Sequence, residues 1–527
     1  MEIDIKNLPN SQELLQKIIS DLHFELDKKQ REINLSRQEI TLSQRELASY
    51  KEKYERLIEE IRLAKQQRFS PSSEKNSLQP DIFDEAGVEL PEDVQAQLDD
   101  AIEVKGYVRK KHPVRRALPK ELPREVVVHD ILDAEKICDC GAPLVRIGEE
   151  MSEQLKYIPA QLSVIQHVRP KYACKPCQEN VKIAAMPILL LPKSIATPEL
   201  VAHTIIAKYC DHLPLYRQEA MWQRLDIDLP RSSLCGWVLK VAELCAPLVV
   251  QLQKNIITHN YVQADETTVQ VLDEVGRDNT SKSYMWVYRG GDLSHLSIVF
   301  DYQETRGGYH AKEFLMGFKG YLQTDAYSGY YWTEKDADII SVGCMAHARR
   351  PFAELIKLSE KPGLAQDAIK FFQKLYAIEK YARENNFSPQ ARYELRNSKA
   401  PIILDAFKKW LDYHVPKTSE QSKIGKAIRY SLNHWEALTH YLKDGRIEID
   451  NNAAENVIRP FALGRKNWLF AGSPSGAKAG ALFYSLIETC KANQVEPYNY
   501  FCKMLHQIRF CKTNDDYQKL LPQFIQL

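Results

Sequence analysis

Several things are scarce in this 527-residue sequence, and each absence excludes something. Net charge is almost nil, with 71 Lys and Arg against 70 Asp and Glu. Any grip on nucleic acid must therefore come from local basic patches, not from a global field. The opening MEIDIKNLPNSQELLQ lacks a basic start followed by an apolar run, so a signal peptide is not expected. Long apolar runs are missing too. Stretches such as AAMPILLLP fall far short of the ~18 residues a membrane span needs. A cytoplasmic protein with no membrane partner is expected. Of eleven cysteines, four lie in two close pairs. Without an export signal, such pairs read as metal ligands or reduced thiols, not disulfides. What remains is an ordinary apolar fraction of 44% and enough chain for about three or four domains.

Residues 10–66 contain neither Gly nor Pro and are densely charged. Ile19, Leu26, Ile33, Ile40, Leu47, Tyr54 and Ile61 recur every seven residues. That is an apolar a-position held over successive heptads, which predicts a self-associating coiled coil. The matching d-positions, Leu22, Lys29, Ser36, Ser43, Tyr50 and Leu57, are weak in the middle. A long solvated helix folded back on its own protein is the plainer reading.

From Phe69 the composition turns rich in Ser, Pro and acid, as a linker does. KGYVRKKHPVRRALPKELPR follows, carrying Arg109, Lys110, Lys111, Arg115 and Arg116. Prolines keep it from being a regular helix, which suits an extended arm along DNA phosphates or simply a solvated linker. Next, Cys138 and Cys140 in ICDCGAPL face Cys174 and Cys177 in YACKPCQ across strand-like alternation. Four thiolates on two knuckles can enclose Zn²⁺ and so stabilise a small β domain. The first knuckle is Cys-x-Cys, tighter than the second, and a relic with free thiols is the other reading.

Residues 197–250 read as helices. Thr197 is placed to cap the first, and Ser232 or Ser233 the last, in a helix-turn-helix-like arrangement that any small bundle shares. From Asn260 the rhythm changes to three strands, a helix ending at Gly320, a strand ending in Asp325, and a buried strand running into the helix of GCMAHARR. This is the order of a ribonuclease H-like α/β core. It places Asp265 in the middle of the first strand and Asp325 at the end of the fourth, on neighbouring strands. Helical patterns then fill residues 355–445 as an insertion.

The insertion ends at GRIEIDNNAAENVIRPFALGRKNWLFAGSPSGA, residues 445–477. Glu455 lies in a short helical segment there, with Arg459 one turn further on the same face and Arg465 and Lys466 beyond. Two Asp and one Glu can hold two Mg²⁺ (or Mn²⁺) ions ~3.5–4 Å apart for in-line displacement at a phosphate. Arg459, Arg465 and Lys466 would grip phosphates, with Arg349 and Arg350 near DNA. Local competitors are Glu266, which strand alternation turns the other way, Asp273, Glu448, and Asp450, which suits a helix N-cap. Cys344 and His347 read as a structural pair at the strand-to-helix junction, although their spacing also suits metal ligation.

FSPSSEK, LPRE (residues 122–125), IGEEMSEQLKYIPAQLSVIQHVRPKYAC, ADET, TDAYSGY, GCMAHARR and DNNAAENVIRPFALGRKNWLFAGSPSGA carry a resemblance over nearly the whole chain. The sequence resembles the large transposase of the insertion-sequence 66 family of bacterial mobile elements. The resemblance implies that Asp265, Asp325 and Glu455 match the acidic triad, and Cys138, Cys140, Cys174 and Cys177 the zinc-finger positions. It also implies terminal inverted repeats and target DNA as substrates, and small accessory proteins as partners. The expected organisation is a multidomain α+β chain. It comprises a coiled coil (1–66), a linker with the basic arm (67–120), a zinc-finger-like domain (121–190) and a helical domain (191–257). The ribonuclease H-like core with its insertion (258–480) and C-terminal helices (481–527) complete it. The expected activity is metal-dependent strand cleavage and transfer. The alternatives are a nuclease that cuts without joining and a catalytically inert DNA-binding protein.

Overall fold

The structure, a computed structural model, describes residues 12–69, 162–173, 181–292, 294–357 and 363–526. Cys138, Cys140, Cys174 and Cys177 and the basic arm with Arg109, Lys110, Lys111, Arg115 and Arg116 lie outside the described residues. The chain divides into two compact units, residues 95–188 and residues 1–94 with 189–527.

Gln12–Phe69 is one unbroken helix, α1, as the lack of Gly and Pro allows. Its heptad residues Ile19, Leu26, Ile33, Ile40, Leu47 and Tyr54 are all exposed in the single chain. In the smaller unit, β1 (Lys171–Ala173) and β2 (Val181–Ile183) form an antiparallel hairpin. Their connection carries Cys174 and Cys177.

The larger unit is built on a five-stranded mixed sheet of β3 (Tyr261–Gln270), β4 (Lys282–Asp292), β5 (His295–Gln303), β6 (Gly320–Gln323) and β7 (Ile339–Val342). The strand order is β5-β4-β3-β6-β7. β3, β4 and β5 pair antiparallel, and β6 and β7 join parallel to β3. Between β5 and β6 lies α5 (Gly308–Phe314). This helix stops at Phe314 rather than at Gly320, because Gly317 takes a left-handed φ of 85° and turns the chain early. At Gly320 itself φ is 141°, and a Cβ there would strike the Asn260 carbonyl, so only Gly admits β6 beside β3.

Before the sheet come α2 (Pro198–Tyr209), α3 (Leu215–Gln223) and α4 (Arg231–Ile257). Thr197 caps α2 as expected, accepting from the Leu200 N–H at 3.3 Å. α4 starts earlier than Ser232 or Ser233. Pro230 enters it in an extended conformation, and the Glu219 carboxylate takes the Arg231 N–H at 2.9 Å. α4 is apolar and long enough to cross a membrane by composition, which no run of consecutive apolar residues had indicated. Here Leu234, Val241, Cys245, Leu248, Leu252 and Ile256 are buried in the core shared with the sheet.

β5 is an edge strand, and an open edge invites pairing with other chains. Helix α12 (Pro474–Ala492) closes it with side chains. Ser485 Oγ accepts from Phe300 N–H at 2.8 Å, Thr489 Oγ1 accepts from Ile298 N–H at 3.1 Å, and Asn493 Nδ2 donates to the Leu296 carbonyl at 2.8 Å. α12 is buried almost end to end, and α13 (Pro497–Gln507) and α14 (Asn514–Lys519) complete the C-terminus.

The insertion has its own core. α6 (Met345–Lys357), α7 (Leu364–Glu384), α8 (Pro389–His414), α9 (Lys423–Asn433) and α10 (Trp435–Thr439) bury Phe352, Phe372, Phe407, Leu411 and Ile428 together. Ile447 and Ile449 belong to the same cluster and lead the chain back to α11 (Asn452–Trp468). The segment predicted as a short helix is thus a long one, carrying Glu455, Arg459, Arg465 and Lys466 together.

Candidate functional site: an acidic cluster at the sheet end

Parallel pairing explains how two aspartates sixty residues apart meet. Gln263 of β3 lies opposite Gln323 of β6, so the chain leaving β6 carries Asp325 beside Asp265. Asp325 sits two residues past the strand end. Its Oδ1 accepts the Tyr327 N–H at 3.0 Å across Ala326, which is held at a φ of 66°. The Tyr430 hydroxyl of α9 donates to the Asp325 carbonyl at 3.0 Å.

The third carboxylate arrives on the first turn of α11, and Asn451 fixes that turn. Asn451 is fully buried. Its Nδ2 donates to the carbonyl of Ala264, the residue before Asp265, at 3.0 Å, and its N–H donates to Cys344 Sγ at 3.1 Å. The approach is stitched down as well. Gln263 Nε2 donates to the Asp450 carbonyl at 3.2 Å, and Gln323 Nε2 to the Glu448 carbonyl at 2.9 Å.

The local competitors are occupied elsewhere. Asp450 accepts the Asn452 N–H at 3.1 Å and the Tyr376 hydroxyl at 2.8 Å, although Asn451 holds the cap position. Glu448 pairs with Arg392 at 2.7 Å. Asp273 stands in the turn beyond β3. Glu266 is bound by Arg306.

The carboxylates at this sheet end crowd one another. Burial, followed by the nearby charges of Asp325, Glu266 and Glu455, pushes the Asp265 carboxyl well above the usual carboxylate range. Glu455 is steadied from α6. Arg350 Nη2 lies 3.3 Å from Glu455 Oε2, and His347 Nδ1 lies 3.5 Å from Oε1. Arg350 Nη1 also approaches His347 Nε2 at 3.2 Å. A guanidinium can only donate, so Nε2 accepts and the neutral ring's proton sits on Nδ1, facing Glu455. Burial, then the Arg350 charge, lowers the His347 pKa and keeps that ring neutral.

Cys344, His347 and Glu455 have ligand atoms within 4.8 Å of one another, a spacing that could hold a metal ion. Burial pushes the Cys344 thiol well up, however, and its sulfur already receives the Asn451 N–H. The contacts that hold the start of α11 are the Asn451 N–H on Cys344 Sγ and Arg350 on Glu455.

The predicted basic residues divide. Arg350 rests on Glu455. Arg465 turns back to β3, donating to the Thr268 carbonyl, to Thr268 Oγ1 at 3.1 Å and to Thr267 Oγ1 at 3.3 Å. Arg459 and Lys466 are exposed on α11, and Arg349 is half-buried on α6. Two residues escaped sequence reasoning. Asn451 could have been found in the Asp-Asn-Asn step just ahead of the helix. Arg306 has only the Arg-Gly-Gly of the connection between β5 and α5 to mark it.

Carboxylates crowded at one end of a mixed sheet, with guanidinium groups among them, have the chemistry to meet divalent cations and phosphates. Family comparison agrees: a model described as the transposase IS66 family matches residues 193–479. The chain belongs to that family. A zinc-finger binding domain of transposase IS66 matches residues 135–178, spanning all four knuckle cysteines. An IS66 C-terminal element matches residues 485–523, and a model described as transposase C of IS166 homeodomain matches residues 56–127. Among curated relatives is the uncharacterized protein y4hP of Sinorhizobium fredii. It is 30% identical over 479 residues, covering 86% of this chain and 85% of the relative. The uncharacterized protein y4qI of the same organism is 33% identical over 455 residues, covering 84% and 82%.

Proposed function

We propose that this chain is a DNA transposase that binds the terminal inverted repeats of its element, frees a 3′-hydroxyl there and joins it to target DNA. Its catalytic domain is read as a ribonuclease H-like core, a reading supported by the strand order β5-β4-β3-β6-β7 with its antiparallel and parallel halves. The observation that carries the proposal is the convergence of Asp265, Asp325 and Glu455, felt in the raised Asp265 pKa. The donor set fits hard divalent cations, Mg²⁺ or Mn²⁺. It offers only carboxylate oxygens, and their mutual repulsion is what a cation would offset. Two such ions, when bound, supply an activated attacking hydroxyl and a stabilised leaving oxygen.

The chain's own residues do the positioning. Asn451 locks α11 to β3, Arg350 and His347 orient Glu455, and the Tyr327 N–H orients Asp325. Cys138, Cys140, Cys174 and Cys177 would hold Zn²⁺ in a domain that, with the basic arm, takes the element ends. Arg459, Lys466 and Arg349 supply further phosphate contacts. The exposed heptad seam of α1 suits a homo-oligomer through a coiled coil, and small proteins of the same element are further partners. The working compartment is the cytoplasm.

The test is strand cleavage and strand transfer in Mg²⁺ on a duplex carrying the element's ends. Asp265→Ala, Asp325→Ala and Glu455→Ala should each reduce both products to background while leaving duplex binding intact. Full activity in any of the three overturns the proposal. Cutting without joining replaces it with a nuclease.

A further inference from the structure

β3, β5 and β6 run in one direction, because β4 is antiparallel to β3 and β5 while β6 is parallel to β3. The connections leaving β5 and β6 therefore emerge at the same end of the sheet. The first carries Arg306 and the second Asp325.

Arg306 is fixed by two clamps. Its Nε and Nη2 donate to Glu266 Oε1 at 2.8 and 2.5 Å. Its guanidinium lies over the Tyr327 ring, 3.7 Å from the centroid. Each clamp is itself held. The Tyr330 hydroxyl donates to Glu266 Oε2 at 3.0 Å, and the Tyr327 hydroxyl donates to the Arg306 carbonyl at 2.9 Å. Both clamps are adjacent in sequence to the acidic cluster. Glu266 follows Asp265, and Tyr327 bonds to Asp325 through its N–H. Strand alternation separates the two acids of β3. Asp265 meets α11, while Glu266 points where Trp286, opposite it on β4, packs edge-on to Tyr330.

The exposures are unequal. The Glu266 side chain is 1% exposed and that of Arg306 is 41%. The Arg396–Glu379 pair of the insertion, by contrast, is buried on both sides, at 0% and 1%. Arg306 instead gives one edge to Glu266, and its Nη1 has no hydrogen-bond partner among the described residues. A buried carboxylate near Asp265 and Asp325 is also unfavourable for the cluster, since Glu266 is among the charges that raise Asp265 and Asp325 among those that raise Glu266. Holding an arginine at the rim gives that carboxylate a purpose.

We propose that Arg306 is a DNA-binding residue of this site, taking a backbone phosphate of the strand that lies against Asp325, with Glu266 and Tyr327 as its clamp. The proposal rests on the reading of the cluster as a phosphodiester-processing site. A planar fork already ordered by a carboxylate and a ring loses little rotamer freedom when it meets a phosphate, and no lysine reproduces that geometry.

The experiment uses the full chain in metal-free buffer and a duplex from the end of the encoding element. Affinity is measured over a salt series, and again on duplexes carrying one neutral methylphosphonate at each successive position. For Arg306→Gln, the slope of log affinity against log salt should become shallower by about one phosphate contact, ~0.9. One methylphosphonate position should weaken the wild type and leave the variant unaffected. Should baring Glu266 unfold the variant, Arg306→Gln combined with Glu266→Gln removes both charges, and the same two readouts apply. Tyr327→Leu should blunt the response at that same position. Equal slopes, with equal sensitivity at every methylphosphonate position, overturn the proposal. Cleavage by the wild type in Mg²⁺, run in parallel, reads the transposase assignment separately. Absent cleavage counts against that assignment and leaves the phosphate contact standing.

Discussion

The insertion and the sheet end each gather buried charge, and they handle it in opposite ways. In the insertion, Arg396 reaches both oxygens of Glu379 at 2.7 Å, and Arg392 bridges Glu379 and Glu448 at 2.8 and 2.7 Å. Arg396 also donates to the carbonyls of Tyr441 and Asp444 at 3.1 Å each. Both carboxylates of this network, Glu379 and Glu448, meet a guanidinium. At the sheet end, Asp265, Glu266, Asp325 and Glu455 crowd one another, with Arg306 on Glu266 and Arg350 on Glu455. The pKa directions follow. Burial works against ionisation of Glu448, yet the bonds from Arg392 hold its pKa below the usual value, whereas Asp265 is pushed well above it. A closed network holds helices together. Carboxylates that raise one another's pKa, as at Asp265, form a cluster that an incoming cation would relieve.

The comparison breaks most visibly at Arg396. Arg396→Ala leaves the buried Glu379 carboxylate with Arg392 alone, and removing one partner of a buried pair costs about 3–5 kcal/mol. Urea unfolding followed by helical circular dichroism should show that loss. A change under about 1 kcal/mol would mean that the network is not what holds α7 to α8.

Next in size is Asp265→Asn, where the expected sign reverses. A carboxyl whose folded pKa is raised contributes its stability at low pH and loses it as pH rises through that folded value. The metal-free chain should therefore weaken from about pH 4 upward on account of this group, and Mg²⁺ should restore it. Asp265→Asn should be more stable than wild type in metal-free buffer at neutral pH, by on the order of 1 kcal/mol. It should also lose the response of the melting temperature to Mg²⁺. A variant less stable than wild type in chelator would show that Asp265 is a structural residue.

Sequence patterns reached much of this arrangement because it is largely local. Strand rhythm placed Asp265 within β3 and Asp325 at the end of the fourth strand; the structure ends β6 two residues earlier, and the register of Gln263 with Gln323 does the rest. Three helical patterns located the insertion, because Phe372, Phe407 and Ile428 recur on apolar faces. Periodicity failed where a single contact spans the fold. Arg306 meets Glu266 across 40 residues, Arg350 meets Glu455 across 105, and Asn451 meets Ala264 across 187. No pattern within one turn or one pleat encodes such pairs. Arg465 shows the converse case. Its position along α11 suggested a phosphate grip, and only the packing of α11 on β3 shows Thr267 and Thr268 receiving it.

The smallest effect separates the two regions by sign alone. Glu448→Gln keeps the shape of the side chain and removes one charge facing Arg392. Glu448 keeps 39% of its side chain exposed, so solvent screens the pair, and the loss should be about 1 kcal/mol or less. Because the folded pKa of Glu448 is depressed, its contribution is present above the ordinary carboxylate value and fades as pH falls through the folded one. Wild type and Glu448→Gln should therefore differ at neutral pH and converge in acid. Wild type and Asp265→Asn should differ most at neutral pH in the opposite direction. Melting curves of the three chains without metal, taken between about pH 4 and pH 8, test both slopes together. If the two variants shift stability in the same direction at neutral pH, the division between a compensated network and an uncompensated site is wrong.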